Sequence, residues 1–320
     1  MKNRIESIDV ARGLAMLLVI IQHNCGFSQL ILSFHMPLFF MVSGLVLTRE
    51  QPKFSFWFEM KRNARRLLIP QVMLGGFECV FIFISTLFYE HKIATLGVGI
   101  ILQSVLRWWF LLVLFQARLL IWLVKKYIFG SRLKECALVL FLTVLSIIIY
   151  LLPGHLDFLP LYMNLVPICL LFILIGYYAK RYLHSEVRMK DSIVMLFLLV
   201  ITIVVAQSNS QVYMYSYDFG NFFLFIVTSL SGSFFFIRLA TVIKSNYIKW
   251  IGVMCMPIYV LQFHVNQYSR AIEATILDYL GCDDVVIKIT ITIAISLIVC
   301  TLLTNWISKF KTSRLLFGLS

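Results

Sequence analysis

Apolar residues run along this chain in long blocks, and the short polar stretches between them carry most of its charge. Most blocks are long enough to cross a bilayer, which takes roughly 20 residues of helix. A segment in lipid must satisfy its own backbone hydrogen bonds, so each block is predicted to be an α-helix. The short alternating strands of a membrane β-barrel are not seen in the pattern. The blocks predict ten helices, over residues 7–27, 37–48, 67–89, 108–124, 135–152, 165–179, 192–206, 219–237, 250–267 and 285–307. Residues 93–106 fit either an interfacial amphipathic helix or an extension of the fourth span. No repeat, low-complexity tract or linker breaks the series. The expectation is therefore an all-α, polytopic membrane bundle forming a single domain over residues 1–320, with no fused soluble domain.

Composition agrees with this. The chain is 61% hydrophobic and 13% charged, with a mean hydropathy of +0.91. That leaves too little polar surface for a soluble protein of this length. The net charge of +13 raises the question of nucleic acid, but the placement of the basic residues argues against it. Of 28 Lys and Arg residues, only Lys92, Arg107, Arg118, Arg270 and Lys288 fall away from one set of alternate helix ends. Lys2, Arg4, Arg181, Arg188, Lys190, Lys311 and Arg314 are among those on the favoured side. Asp157, Asp218, Glu273, Asp278, Asp283 and Asp284 fall on the opposite side. This positive-inside bias, with an even number of spans, puts both termini in the cytoplasm and the protein in the cell's inner, cytoplasmic membrane. The N-terminal stretch has the start of a signal peptide but no cleavage site, and reads as a retained first helix. The cysteines (Cys25, Cys79, Cys136, Cys169, Cys255, Cys282 and Cys300) are scattered without a CxxC or a Cys/His cluster, so no metal is expected. The outer segment 207–221 is polar and rich in tyrosine, as suits a membrane interface or a sugar-contacting surface.

Ionisable residues within spans are costly and direct attention to chemistry. The first helix carries Asp9, Arg12 and His23. Arg12 and His23 return to within roughly 20° of one another around the helix, roughly 16 Å apart along it. Asp9 precedes Arg12 by one turn and can orient its guanidinium. Arginine at the cytoplasmic edge suits a phosphate-rich ligand, and a neutral imidazole deeper in suits a general base. The alternative is an arginine that snorkels to the interface and a histidine that packs. His35 lies just before the second helix and is placed to approach His23 across a hairpin, or to sit at the interface. Ser43 and Gly44 permit close helix packing. The stretch 61–70 gathers Lys61, Arg62, Arg65 and Arg66 at the cytoplasmic surface, either as an anchor to anionic lipids or as a phosphate clamp. Glu78 and Arg118 are further intramembrane charges that fit a pair or a cavity lining. Trp108 and Trp109 read as an interfacial belt. Tyr259, Gln262 and His264 come near the outer end of the ninth helix, to contact a polar acceptor or to cap the bundle.

Together these motifs resemble the membrane-bound acyltransferase family 3. The likeness rests on Arg12-x10-His23 within SIDVARGLAMLLVIIQH and on FHMPLFFMVSG in the second helix. RNARRLLIP, WWFLLVL, GYYAKR and IGVMCMPIYVL carry it along nearly the whole chain. The resemblance implies a helical bundle that moves an acyl group, usually acetyl from acetyl-CoA, to a hydroxyl of a cell-surface glycan or its lipid-linked precursor. It implies that Arg12 and His23 are the essential pair, that Arg62 and Arg65, with Arg66 beside them, hold the CoA phosphates, and that His35 is the histidine of the second motif. Many relatives carry a histidine where this chain has Gln262; His264 lies about 200° around the helix and does not replace it. The implied partners are acyl-CoA, the glycan acceptor and membrane lipid, with no nucleic acid. The competing class is a transporter or flippase of an envelope glycan or small polar solute, which commonly shows repeats or broken helices.

Overall fold

The structure, a computed structural model, describes residues 6–24, 28–89, 98–106, 108–152, 154, 159–180, 189–280 and 284–310. Cys25, Cys282, Lys2, Arg4, Lys92, Arg107, Asp157, Arg181, Arg188, Asp283, Lys311 and Arg314 lie outside the described residues, as do the side chains of Lys190 and Asp278. Regular structure among the described residues is helical. The helices are α1 (Glu6–Asn24), α2 (Gln29–Leu32), α3 (His35–Leu45), α4 (Phe56–Tyr89), α5 (Val98–Leu106), α6 (Trp109–Tyr127) and α7 (Arg132–Leu151). A 3-10 helix (Pro160–Leu165) leads into α8 (Val166–Ala179), followed by α9 (Met189–Ser208), α10 (Phe222–Val242), α11 (Asn246–Val253), α12 (Cys255–Leu280) and α13 (Val285–Ile307).

Six of these segments are long and apolar enough to cross a membrane, or eight if the bent pairs α5–α6 and α11–α12 each count as one span. Two predicted spans fall outside that number for local reasons. α1 carries Glu6, Asp9 and Arg12, and the second predicted span is the short apolar stretch Gln29–Leu45. Proline sets two of the breaks. The Pro37 ring would clash with the carbonyl of Ser33 in a continuous helix, and the chain turns there, between α2 and α3. Pro257 stands in the same relation to Val253, the last residue of α11, and the ninth predicted helix is in fact two helices bent by 87°. α12 then runs on to Leu280, past the predicted end at 267. α4 begins at Phe56 rather than 67, which takes the basic cluster into the helix. α5 occupies the later part of the ambiguous stretch 93–106.

The chain divides into two compact units, Met1–Thr48 with Leu170–Ile307, and Arg49–Cys169 with Ser308–Ser320. In the first unit α1 packs against α3, α10, α11, α12 and α13. Met16, Val19 and Ile20 of α1 share a buried core with Ile251, Ile258, Val265 and Cys300. α9 turns Ile193, Leu196, Phe197, Val200 and Val204 outward. Their exposure is what a lipid-facing helix requires.

Glycines set the closest helix contacts. A Cβ on Gly13 would lie 2.0 Å from the carbonyl oxygen of Ile248, and one on Gly252 would lie 1.7 Å from that of Asp9, so α1 and α11 touch backbone to backbone. A Cβ on Gly44 would lie 1.9 Å from the Ile173 oxygen, and one on Gly176 would lie 2.0 Å from the Met41 oxygen, which joins α3 to α8 in the same way. Such reciprocal small-residue contacts are how helices approach in lipid, where hydrophobicity alone does not drive them together.

In the second unit Glu135 at the start of α7 is buried and accepts hydrogen bonds from Arg49 (3.0 Å) and the backbone N–H of Gly130 (3.1 Å). Gln71 of α4 donates to the carbonyl of Val105, and Gly75 lets α5 lie close alongside. Trp108 is 7% exposed, so it is a packing residue and not part of an interfacial belt.

Candidate active site

α1 is unbroken from Glu6 to Asn24, so Arg12 and His23 share a stripe of one rigid rod. Glu6 and Asp9 in its first turn complement the helix dipole. Asp9 is buried and lies 3.5 Å from the Arg12 guanidinium, whose side chain is 27% exposed, so the carboxylate steadies an arginine that remains accessible. Lys249 of α11 pairs with Glu6. At the other end, the orphan carbonyl of His23 accepts a hydrogen bond from Arg270 of α12, and its ring meets Phe263 edge-on at 6.4 Å. His23 is half-buried, and among the described residues neither ring nitrogen makes a hydrogen bond. Its base is therefore not committed to the fold.

His35 is the first residue of α3, inside the helix rather than before it, and is 7% exposed. The corner that carries it is held by α10. Ser229 donates to the carbonyl of Ser33 (2.9 Å), Phe34 stacks on Phe236 (5.3 Å between centroids), and Gly232 leaves the space Phe34 fills. Nδ1 of His35 lies 2.7 Å from the carbonyl oxygen of Ile31. A carbonyl only accepts, so Nδ1 donates, and the lone pair of the neutral ring falls on Nε2. α1, which carries His23, and α3, which begins at His35, pack against one another. Thus the first unit places His23 and His35 on two helices that pack together, with Arg12 on the stripe of α1 that leads to His23.

The second unit holds the basic cluster on α4, where Arg62, Arg65 and Arg66 are exposed. Arg62 is not an unengaged cation. It pairs with Glu59 at 2.5 Å and lies over the Phe54 ring at 5.7 Å. Glu59 precedes it by one helical turn, a pairing open to sequence once α4 is seen to start early. Arg65 has no ion-pair partner among the described residues, and the face of α4 beside it, Leu68, Ile69, Val72 and Met73, is apolar. Glu78 is buried and Arg118 half-buried in this unit.

A family model described as an acyltransferase domain matches residues 5–310. The chain belongs to acyltransferase family 3. No curated protein and no solved structure matches it. The match takes in both units, and the acyltransferase motifs acquire a structural meaning: Gly13 and Gly252, and Gly44 and Gly176, are the glycines of the two close crossings. Arg270, Phe263 and Ile31 touch the two histidines and carry no sequence signal, because the contacts are long-range or made through backbone. Asn266, Ser269 and Glu273 continue the polar face begun by Gln262, and Ser269 and Glu273 lie beyond 267, where the predicted helix ended.

Proposed function

We propose that this acyltransferase moves an acetyl group from cytoplasmic acetyl-CoA to a hydroxyl of a cell-surface glycan or its lipid-linked precursor. The observation that supports it most is the histidine pair on the packed helices α1 and α3: His35 with its tautomer set by Ile31, and a His23 whose ring nitrogens are unengaged among the described residues. In this reading His23 takes the proton of the acceptor hydroxyl as its oxygen attacks the thioester carbonyl. The carbon–oxygen bond forms, the carbon–sulfur bond breaks, and the proton passes to the departing CoA thiolate. Nε2 of His35 orients the acceptor or relays that proton. Arg62, Arg65 and Arg66 hold the donor's phosphates, with Arg12 as a further cation. In the same reading α1 and the α2–α3 stretch also cross the membrane, for ten spans with both termini cytoplasmic in the inner membrane, a placement supported by the bias of the basic loops.

The donor assignment has its own test. Arg65→Ala should raise the KM for acetyl-CoA about tenfold while kcat changes little, because a phosphate contact remote from the thioester is shared by ground and transition states. Arg62→Ala should do less, since Glu59 already neutralises that guanidinium. Initial rates over a range of acetyl-CoA concentrations check both. An unchanged KM in Arg65→Ala would remove the cluster from the donor site.

A further inference from the structure

A buried polar stripe runs along α12. Gln262, Asn266, Ser269 and Glu273 recur at helical spacing, within an arc of roughly 60°. They are 0, 3, 1 and 9% exposed. Asn266 donates to Gln262 Oε1 (3.0 Å), and Ser269 to the carbonyl of Val265 (2.8 Å). Gln262 Nε2, Asn266 Oδ1 and Glu273 Oε1 are left without a partner. A buried polar atom left this way costs more than a hydrogen bond returns, and three on one face of one helix point to a ligand that supplies the missing partners.

The flanks of the stripe show where it faces. On one side Ile258 and Val265 enter the core with Met16, Val19 and Ile20 of α1. On the other side Phe263 and Arg270 meet the ring and the carbonyl of His23. Both flanks rest on α1, so the stripe between them faces the outer half of α1. Gln22, next to His23, is 2% exposed and neither atom of its amide group has a partner.

The chemistry of the open positions selects the ligand. Gln262 Nε2 can only donate, whereas Asn266 Oδ1 and Glu273 Oε1 accept. A hydroxyl meets both needs, since it accepts and donates at once. An anion would be repelled by the two acceptors, and an apolar chain would satisfy none. We propose that this stripe is the acceptor subsite, which reads neighbouring hydroxyls of a neutral sugar and holds one of them beside His23. The inference rests on the acyl-transfer reading above and adds Gln262 and Asn266 as specificity-determining residues.

The test uses the full chain in membranes, with acetyl-CoA as donor and a host envelope-glycan extract as acceptor, quantified as hexose. Gln262→Met and Asn266→Leu keep the approximate shape and remove the polar atoms. Each should raise the acceptor KM about tenfold. The KM for acetyl-CoA should be unchanged, while the melting temperature in detergent can fall modestly, because each exchange also breaks the buried Asn266–Gln262 hydrogen bond. A purely structural role would leave the acceptor KM unmoved. That result, or a joint rise of donor and acceptor KM, overturns the inference. Should Asn266→Leu fail to fold, Gln262→Met decides alone, with Gln262→Glu, which exchanges the donor nitrogen for an oxygen, as its second measure: an unmoved acceptor KM in both overturns it. Wild type without any transfer would sink the acyl-transfer reading itself, whereas an active wild type with unmoved variants sinks only the subsite.

Discussion

Exchange of His23 for alanine is expected to lower kcat by about 10²–10⁴-fold, the usual worth of a positioned general base. The protein should stay folded, because the ring makes an edge contact with Phe263 and no hydrogen bond among the described residues, while the Arg270 contact is to the backbone carbonyl and survives. His35→Ala should also lose activity, with some loss of stability, since its ring is buried and bonded to Ile31. If the two imidazoles act as a unit, the double variant will be scarcely worse than the worse single one. Initial rates of all three at matched protein levels, with and without added imidazole, measure this. Independent, multiplying losses would show that the pair does not cooperate.

Gly252→Val should have the largest effect on the fold. The added Cβ would lie 1.7 Å from the carbonyl oxygen of Asp9, a backbone atom that no rotamer change can move away. α1 and α11 would have to separate, and with them the turn that carries Asp9 and Arg12. A loss of about 4 kcal/mol or more is expected, the range reached only by severe overpacking or cavity formation. Gly76→Val is the control, because a Cβ there meets nothing within 4 Å. Thermal unfolding in detergent should show Gly252→Val melting far below wild type or failing to accumulate, with Gly76→Val close to wild type.

The length and hydropathy of the blocks were enough to read an all-helical membrane protein, because the cost of an unpaired backbone in lipid leaves few alternatives. The positions of Arg12 and His23 were legible for a similar reason, since an unbroken helix turns spacing directly into geometry. Gly44 was recognised as a packing residue, although its reciprocity with Gly176 was not, because it depends on which helices meet. The break before Pro257 was written in the sequence but masked by the apolar residues on both sides. Ending the ninth helix at 267, where α12 runs on to Leu280, left Ser269 and Glu273 outside it and hid the far half of the polar stripe. The hydrogen bond from His35 to Ile31 and that from Arg270 to His23 end on backbone carbonyls, which leave no trace in residue identity.

The most direct test of the account follows radiolabel from acetyl-CoA into envelope glycans, using membranes that contain wild type or His23→Ala at equal levels. Mild alkali then releases the label if it is held as an O-ester. The account predicts alkali-labile label on glycan with wild type and almost none with His23→Ala. Equal labelling by the two proteins would remove His23 from the chemistry, and no labelling by wild type, with energy-dependent movement of a polar solute in its place, would favour a transporter.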